Sequence, residues 1–172
     1  MLKTIGEPEL AGLTELLADA VMHDASVGYV IPFDRTQLAA FWRSVTRDVE
    51  AGHKVLMVAL DEDRIAGSTQ LDLCMKPNGL HRAEVQKVLV HSTMRRRGIG
   101  RALMRRAEQE ARDRGRHLLV LDTESGSGAQ SLYANEGYAV AGHIPEFAIG
   151  NRGGFVPTTY MYKLLARQAG AT

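Results

Sequence analysis

Four groups in this 172-residue chain have the chemistry to hold an anion or move a proton. The densest is Arg95-Arg96-Arg97-Gly98-Ile99-Gly100. It lies between a β-branched run, 85–90, and a stretch whose apolar residues Ile99, Ala102, Leu103, Ala107 and Ala111 recur at helical spacing. A helix start leaves backbone N–H groups unpaired and carries partial positive charge. Gly98 and Gly100 let an anion approach those groups, and three arginines add full charge, so the junction reads as a phosphate or pyrophosphate site. It lacks the Lys-Ser/Thr ending of a P-loop and the third glycine of a dinucleotide fingerprint. A solvated basic helix start is the other reading of the same residues.

Glu84 opens the β-branched run. Strict alternation places it on one face with Gln86 and Val88, and places Val85, Lys87 and Leu89 on the other. A general base and a surface glutamate paired with Arg82 or Lys87 both fit that position. Asp122 ends an apolar strand, 118–122, where open α/β sheets place ligand groups; capping of the following turn is the alternative. Tyr133 lies in a short helix, 129–135, either as a proton or hydrogen-bond donor or as a core aromatic.

These groups need a frame. Helices are expected over 8–22, with Leu10, Leu13, Leu17 and Val21 on one stripe, and over 35–51, with Leu38, Phe41, Trp42, Val45 and Val49 on another. Asp34 is the candidate N-cap of the second and Gly52 its stop. Trp42 lies on the apolar stripe and reads as core. Residues 23–33 read as a loop. Strands are expected at 2–5, 55–60, 65–73, 83–90, 118–122, 138–143 and 158–165, and a long helix runs from Ile99 to Gly115. The second and third strands form an antiparallel hairpin about Asp61-Glu62-Asp63. Lys76-Pro77-Asn78-Gly79 is a turn, its Asn-Gly suited to positive φ. Strand, helix, strand over 83–122 implies a right-handed crossover and a parallel pair. The fold class is α/β (α+β): a mixed, mostly antiparallel sheet with a parallel central pair, flanked by helices. Residues 1–172 are expected to form one domain with a fraying tail after about residue 165.

Composition narrows the classes. A net charge of +1 opposes a general nucleic-acid binder. The rival module would use the arginines at 95, 96, 97, 101, 105, 106, 112, 114 and 116, but Glu108, Glu110 and Asp113 dilute them. One cysteine, Cys74, excludes an internal disulfide and a cysteine metal cluster, and reads as a core or strand thiol. No metal site is expected. No apolar run approaches a membrane span and the N-terminus has no signal-peptide core, so a cytoplasmic protein without a membrane partner is expected.

The junction together with the later segments resembles a known family. Arg95-x-x-Gly98-x-Gly100 after a Val-rich strand is similar to the acetyl-CoA signature of the GNAT superfamily of N-acetyltransferases. Ala129-Gln130-Ser131-Leu132-Tyr133-Ala134-Asn135-Glu136-Gly137-Tyr138 resembles the later helix of that family. Lys76-Pro77-Asn78-Gly79-Leu80, Arg82 to Lys87, Leu121-Asp122-Thr123-Glu124 and Ala25-Ser26-Val27-Gly28-Tyr29 resemble the tabtoxin resistance acetyltransferases within it. The resemblance runs from about residue 25 to Leu165.

It implies an enzyme that transfers an acetyl group from acetyl-CoA, its co-substrate, to the amine of a small molecule. The acceptor implied is an amino-acid-like β-lactam toxin, and the protein a monomer or homodimer. Such transfer needs a free amine, a donor for the oxygen of the thioester, and a proton for the departing thiolate. An alkyl ammonium has a pKa of about 10.4, so a base would help at neutral pH. The resemblance assigns proton transfer at the amine to Glu84 and Asp122, and makes Tyr133 the general acid at sulfur. Backbone of Val88, Leu89 and Val90 would pair with the pantetheine arm. Arg95, Arg96, Arg97, Gly98, Ile99, Gly100 and Arg101 would hold the pyrophosphate, and Ser127 would contact the arm. Two departures stand out: Arg96 occupies a common glycine position, and Gly126 a common asparagine position, for which Gly126-Ser127-Gly128 is the expected substitute. A relative that binds acetyl-CoA as a regulator without turnover is the alternative, against which Glu84, Asp122 and Tyr133 weigh.

Overall fold

The computed structural model describes residues 5–151 and 153–166. The strand expected at 2–5 and the tail lie outside those residues, save Ile5, which is not in a strand, and Ala166. The elements follow in order as α1 (Glu7–Met22), α2 (Arg35–Glu50), β1 (Lys54–Asp61), β2 (Arg64–Leu73), β3 (Arg82–Val90), α3 (Ile99–Asp113), β4 (Leu118–Glu124), α4 (Gly128–Asn135), β5 (Ala139–Ile149) and β6 (Phe155–Leu164). They build one six-stranded sheet in the order β1-β2-β3-β4-β6-β5. Every neighbouring pair is antiparallel except β3 and β4, which are parallel and joined through α3. This is the mixed α/β sheet with a parallel central pair that the crossover argument requires. No described helix is long and apolar enough to cross a membrane.

The sheet separates two apolar layers. On one face Val55, Met57, Leu71, Val85, Leu119, Leu121 and Met161 pack against Met104, Ala107 and Ala111 of α3 and Tyr133 of α4. On the other, Leu56 and Leu89 pack under Leu13 and Leu17 of α1 and Leu38 and Trp42 of α2. Trp42 is fully buried, as its place on the stripe requires. Burying a side chain of this size stabilises by about 1.5–3 kcal/mol, which is why the stripes decide where the helices lie. Asp34 caps α2, accepting from Thr36 N at 2.8 Å.

Three local expectations need correction. Asn78 and Gly79 do not take positive φ; Pro77–Gly79 is one turn of 3-10 helix, which proline's fixed φ favours at its start. Cys74 is neither in the core nor in a strand. It follows β2, half-buried, with Arg82 Nη2 at 3.5 Å from its Sγ. Strict alternation along β3 also fails. The β2–β3 register passes from Gln70↔Gln86 to Ser68↔Leu89, so Lys87 and Val88 together oppose Thr69. Lys87 takes φ 49°, the left-handed conformation of a bulge residue. Ser68, fully buried, pins the bulge by donating from Oγ to Lys87 O at 3.2 Å. Beyond it the faces exchange: Val88 packs toward α3, while Lys87 and Leu89 face α1 and α2.

Candidate active site

β3 and β4 touch only at their beginnings. Arg82, Ala83 and Glu84 pair with Leu118, Leu119 and Val120, and there the pairing stops. Each strand continues, held on its far side: β3 by β2 up to Val90, and β4 by β6 up to Glu124. A wedge therefore opens in the middle of the sheet, and the facing edges of 85–90 and 121–124 have no strand partner. Exposed strand edges of this kind accept an extended chain that carries amides.

At the wide end of the wedge lies the basic junction. Gly98 is the N-cap of α3 at φ 80° and ψ 0°. Arg96 takes φ 63°, the left-handed conformation that a glycine there would adopt. The turn is thus kept despite the arginine. Ala102 N donates to Gly98 O at 3.0 Å and closes the first helical turn. The N–H groups ahead of it carry no intrahelical bond and point out of the helix start. Gly100 lies close against α4: a Cβ there would stand 3.1 Å from Leu132 Cδ2, which would have to give by a few tenths of an ångström. The loop before the junction is tied to α1, since Asp19 accepts from both Ser92 N and Ser92 Oγ at 2.7 Å.

The arginines divide into two sets. Arg101 and Arg105 pair with Glu136 at 2.7 and 3.2 Å, Arg112 with Glu108 at 3.3 Å, and Arg106 and Arg114 with Glu110. All three carboxylates are buried, so most of the arginine-rich helix is neutralised by its own fold. Arg95 folds back on the strand, with Nε 3.3 Å from Val90 O. Among the described residues, Arg96 and Arg97 have no ion-pair partner and stand beside the open helix start. The Arg101 side chain is spent on Glu136, which leaves only its backbone for the helix start.

α4 supplies the wall. Ser127 is its N-cap: its Oγ accepts from Gln130 N at 3.2 Å and lies 3.1 Å from Thr123 Oγ1. Gly126 N donates to Gln130 Oε1 at 2.6 Å. The Gly126-Ser127-Gly128 segment is thus organised chiefly to start the helix. Tyr133 is buried, 6% exposed, with its ring centroid 6.2 Å from that of Tyr138. Burial, and then the Asp122 carboxylate, push its phenol upward, so the hydroxyl stays protonated.

Glu84 and Asp122 share the sheet face that α1 and α2 partly cover, where the strands part. Glu84 Oε1 accepts from Gln86 Nε2 at 3.0 Å, and Gln86 Oε1 accepts from Lys54 Nζ at 3.1 Å. Lys54 is also paired with Asp72. Neither Arg82 nor Lys87 forms an ion pair with Glu84 among the described residues. Asp122 accepts from Thr158 Oγ1 at 3.0 Å and caps no backbone N–H of the following turn among the described residues; Ser127 caps α4. Beside Asp122 in the register stands Tyr160, edge-on to Phe147 at 5.9 Å. Its phenol is pushed up by partial burial and by Asp122 and Glu84.

Two residues on this face escaped sequence reasoning. Lys87 was assigned to the opposite face because alternation ignores a bulge. Its ammonium lies 5.3 Å from the centroid of the Phe41 ring of α2. Burial pushes it downward, Asp122 and Glu84 pull it up, and Lys54 pushes it down. The signal was the lysine itself, set in a strand otherwise rich in valine. Gln70 lies opposite Gln86 in β2, fully buried, with neither amide nitrogen nor oxygen partnered. Nothing in its sequence context marks it.

Comparison with known proteins bears on the fold and the family. The model of the acetyltransferase (GNAT) family matches residues 18–138, from α1 through Tyr138. An L-amino acid N-acyltransferase of Escherichia coli is 27% identical over 80% of this chain and 78% of its own. An L-methionine sulfoximine/L-methionine sulfone acetyltransferase of Salmonella typhimurium is 26% identical over 94% of this chain and 92% of its own. Among solved structures, a ribosomal-protein-alanine N-acetyltransferase of Brucella melitensis superposes with a TM-score of 0.77 at 25% identity, covering 93% of this chain and 96% of its own. An acetyltransferase of Salmonella typhimurium, solved with its cofactor acetyl-CoA, has the same fold: TM-score 0.77, 22% identity, 98% and 95% coverage. The wedge, the open helix start and the matched segment lead to one conclusion: the chain belongs to the acetyltransferase (GNAT) family and is an acetyl-CoA-dependent N-acetyltransferase.

Proposed function

We propose that the protein acetylates the amine of a small amino-acid-like acceptor. The observation that carries this reading is the placement of Glu84 and Asp122 on one face, at the point where β3 and β4 part. The anion-binding helix start lies at the other end of the same opening. The two curated relatives named above act on amino acids or amino-acid analogues, which supports an acceptor of that class. The tabtoxin-type β-lactam amino acid is the narrower candidate, resting on the resemblance around Glu84 and Asp122.

The residues divide the work as follows. Backbone N–H groups from Arg96 to Arg101, with the Arg96 and Arg97 side chains, hold the pyrophosphate of acetyl-CoA. The free edge at Val88, Leu89 and Val90 pairs with the pantetheine arm, and Ser127 closes the other wall. Glu84 takes the proton of the bound ammonium, directly or through one water, and Asp122 holds the cation in reach. As the new C–N bond forms and the C–S bond breaks, the Tyr133 hydroxyl donates its proton to the departing sulfur. The electron pair of that bond leaves with the sulfur as free thiol.

The test is release of thiol from acetyl-CoA by the purified protein with a panel of small amines: amino acids, L-methionine sulfone, tabtoxinine-β-lactam, polyamines and aminoglycosides. Turnover confined to the amino-acid-like members is expected. Turnover confined to polyamines or aminoglycosides, or none on any compound, overturns the reading.

A further inference from the structure

The bulge in β3 leaves a charge without a task. Lys87 is turned onto the face of Glu84 and Asp122, where its ammonium meets only the Phe41 ring, and no hydrogen-bond acceptor among the described residues reaches it. A half-buried ammonium whose donors meet no acceptor within the fold can take one from a ligand. Lys54, a second cation of this face, is already committed to Asp72 and Gln86. Glu84 and Asp122 act on Lys87 electrostatically yet form no ion pair with it, so a gap separates the positive from the negative pole. The floor beside them is polar and incomplete. Gln70 is fully buried with both ends of its amide unpartnered, and Trp42 Nε1 in the α2 layer above is unpartnered as well.

We propose that Lys87 determines acceptor specificity: its ammonium holds the carboxylate of the acceptor while Glu84 and Asp122 hold the amine of the same molecule. The Gln70 amide adds hydrogen bonds from the floor. The pocket then selects zwitterionic amino acids over plain amines of the same side chain. This rests on the transferase reading above and adds the requirement for a carboxylate.

The experiment compares L-methionine and L-methionine sulfone with their decarboxylated amines as acceptors, in the wild type, Lys87→Met and Lys87→Arg. The wild type is expected to prefer each amino acid. A charge-assisted bond lost in Lys87→Met should raise KM for the amino acids by roughly 10- to 100-fold. Rates on the decarboxylated amines and KM for acetyl-CoA should be unchanged, the latter reporting an intact fold. Lys87→Arg should keep the preference. Equal rates of the wild type on amino acids and their amines overturn the proposal, as does an equal loss on both classes in Lys87→Met. Those outcomes leave the transferase reading standing; absence of thiol release from every acceptor removes that reading as well.

Discussion

At the scale of the residue, the site depends on groups whose ionisation the fold has moved. Tyr133 is held protonated by burial and by Asp122, so its hydroxyl is present as a donor for the proposed transfer to sulfur, although the same shift makes it a weaker acid than a free phenol. Tyr133→Phe keeps the packing and removes the proton. It should lower kcat by about 10²-fold or more with little change in KM for acetyl-CoA, and a normal kcat would end that assignment. Lys87 carries a stability cost of definite sign. Its folded pKa lies below the usual 10.5, chiefly through burial, so the unfolded chain binds that proton more tightly. Stability from this group is therefore lost as pH falls from about 10.5 through the folded value. Lys87→Met should raise the melting temperature at neutral pH, by an amount that fades toward pH 10.5. Thermal denaturation across that range measures it, and a lowered melting temperature at neutral pH would show that the ammonium stabilises the free protein.

At the scale of the element, the junction of β3 and α3 carries the proposed donor site. Gly98 holds φ 80° where a Cβ would meet nothing within 4 Å, so the cost of Gly98→Ala is backbone strain alone. About 1–2 kcal/mol is expected, read as a lower melting temperature, together with a higher KM for acetyl-CoA as the N–H groups are re-aimed. An unchanged KM would separate the turn from donor binding. This junction was legible because its signals are local: a valine-rich run, two glycines, then a stripe at helical spacing. Glu84, Asp122 and Tyr133 stand out as candidates for the same reason, each lying near an element's end or inside a recognisable motif. The bulge was not, because one inserted residue at Lys87 leaves no mark in a pattern read two by two. The sequence places β5 at 138–143, whereas it runs from Ala139 to Ile149. It is an edge strand with Pro145 inside and most of its residues exposed, so neither alternation nor composition announces its second half. β6 likewise begins at Phe155, three residues before the expected start.

At the scale of the whole molecule, the sheet is two antiparallel halves, β1-β2-β3 and β4-β6-β5, joined by three residue pairs and by the apolar layer under α3 and α4. A chain of amides laid into the wedge would bridge both halves. Acetyl-CoA at about 100 times its Kd should stabilise the protein by about 2.7 kcal/mol. Amide exchange should slow along 85–90 and 121–124 more than at the outer strand β1, whereas protection spread evenly would place the donor elsewhere. Under the proposed assignments the sheet also divides labour between its faces. Toward α3 and α4 lie Tyr133, Val88 and the supports of the helix start; toward α1 and α2 lie Lys87, Gln70, Glu84 and Phe41. For protein engineering, that partition means a library confined to Phe41, Gln70 and Lys87 could retarget the enzyme to new acceptors while its donor chemistry is inherited intact.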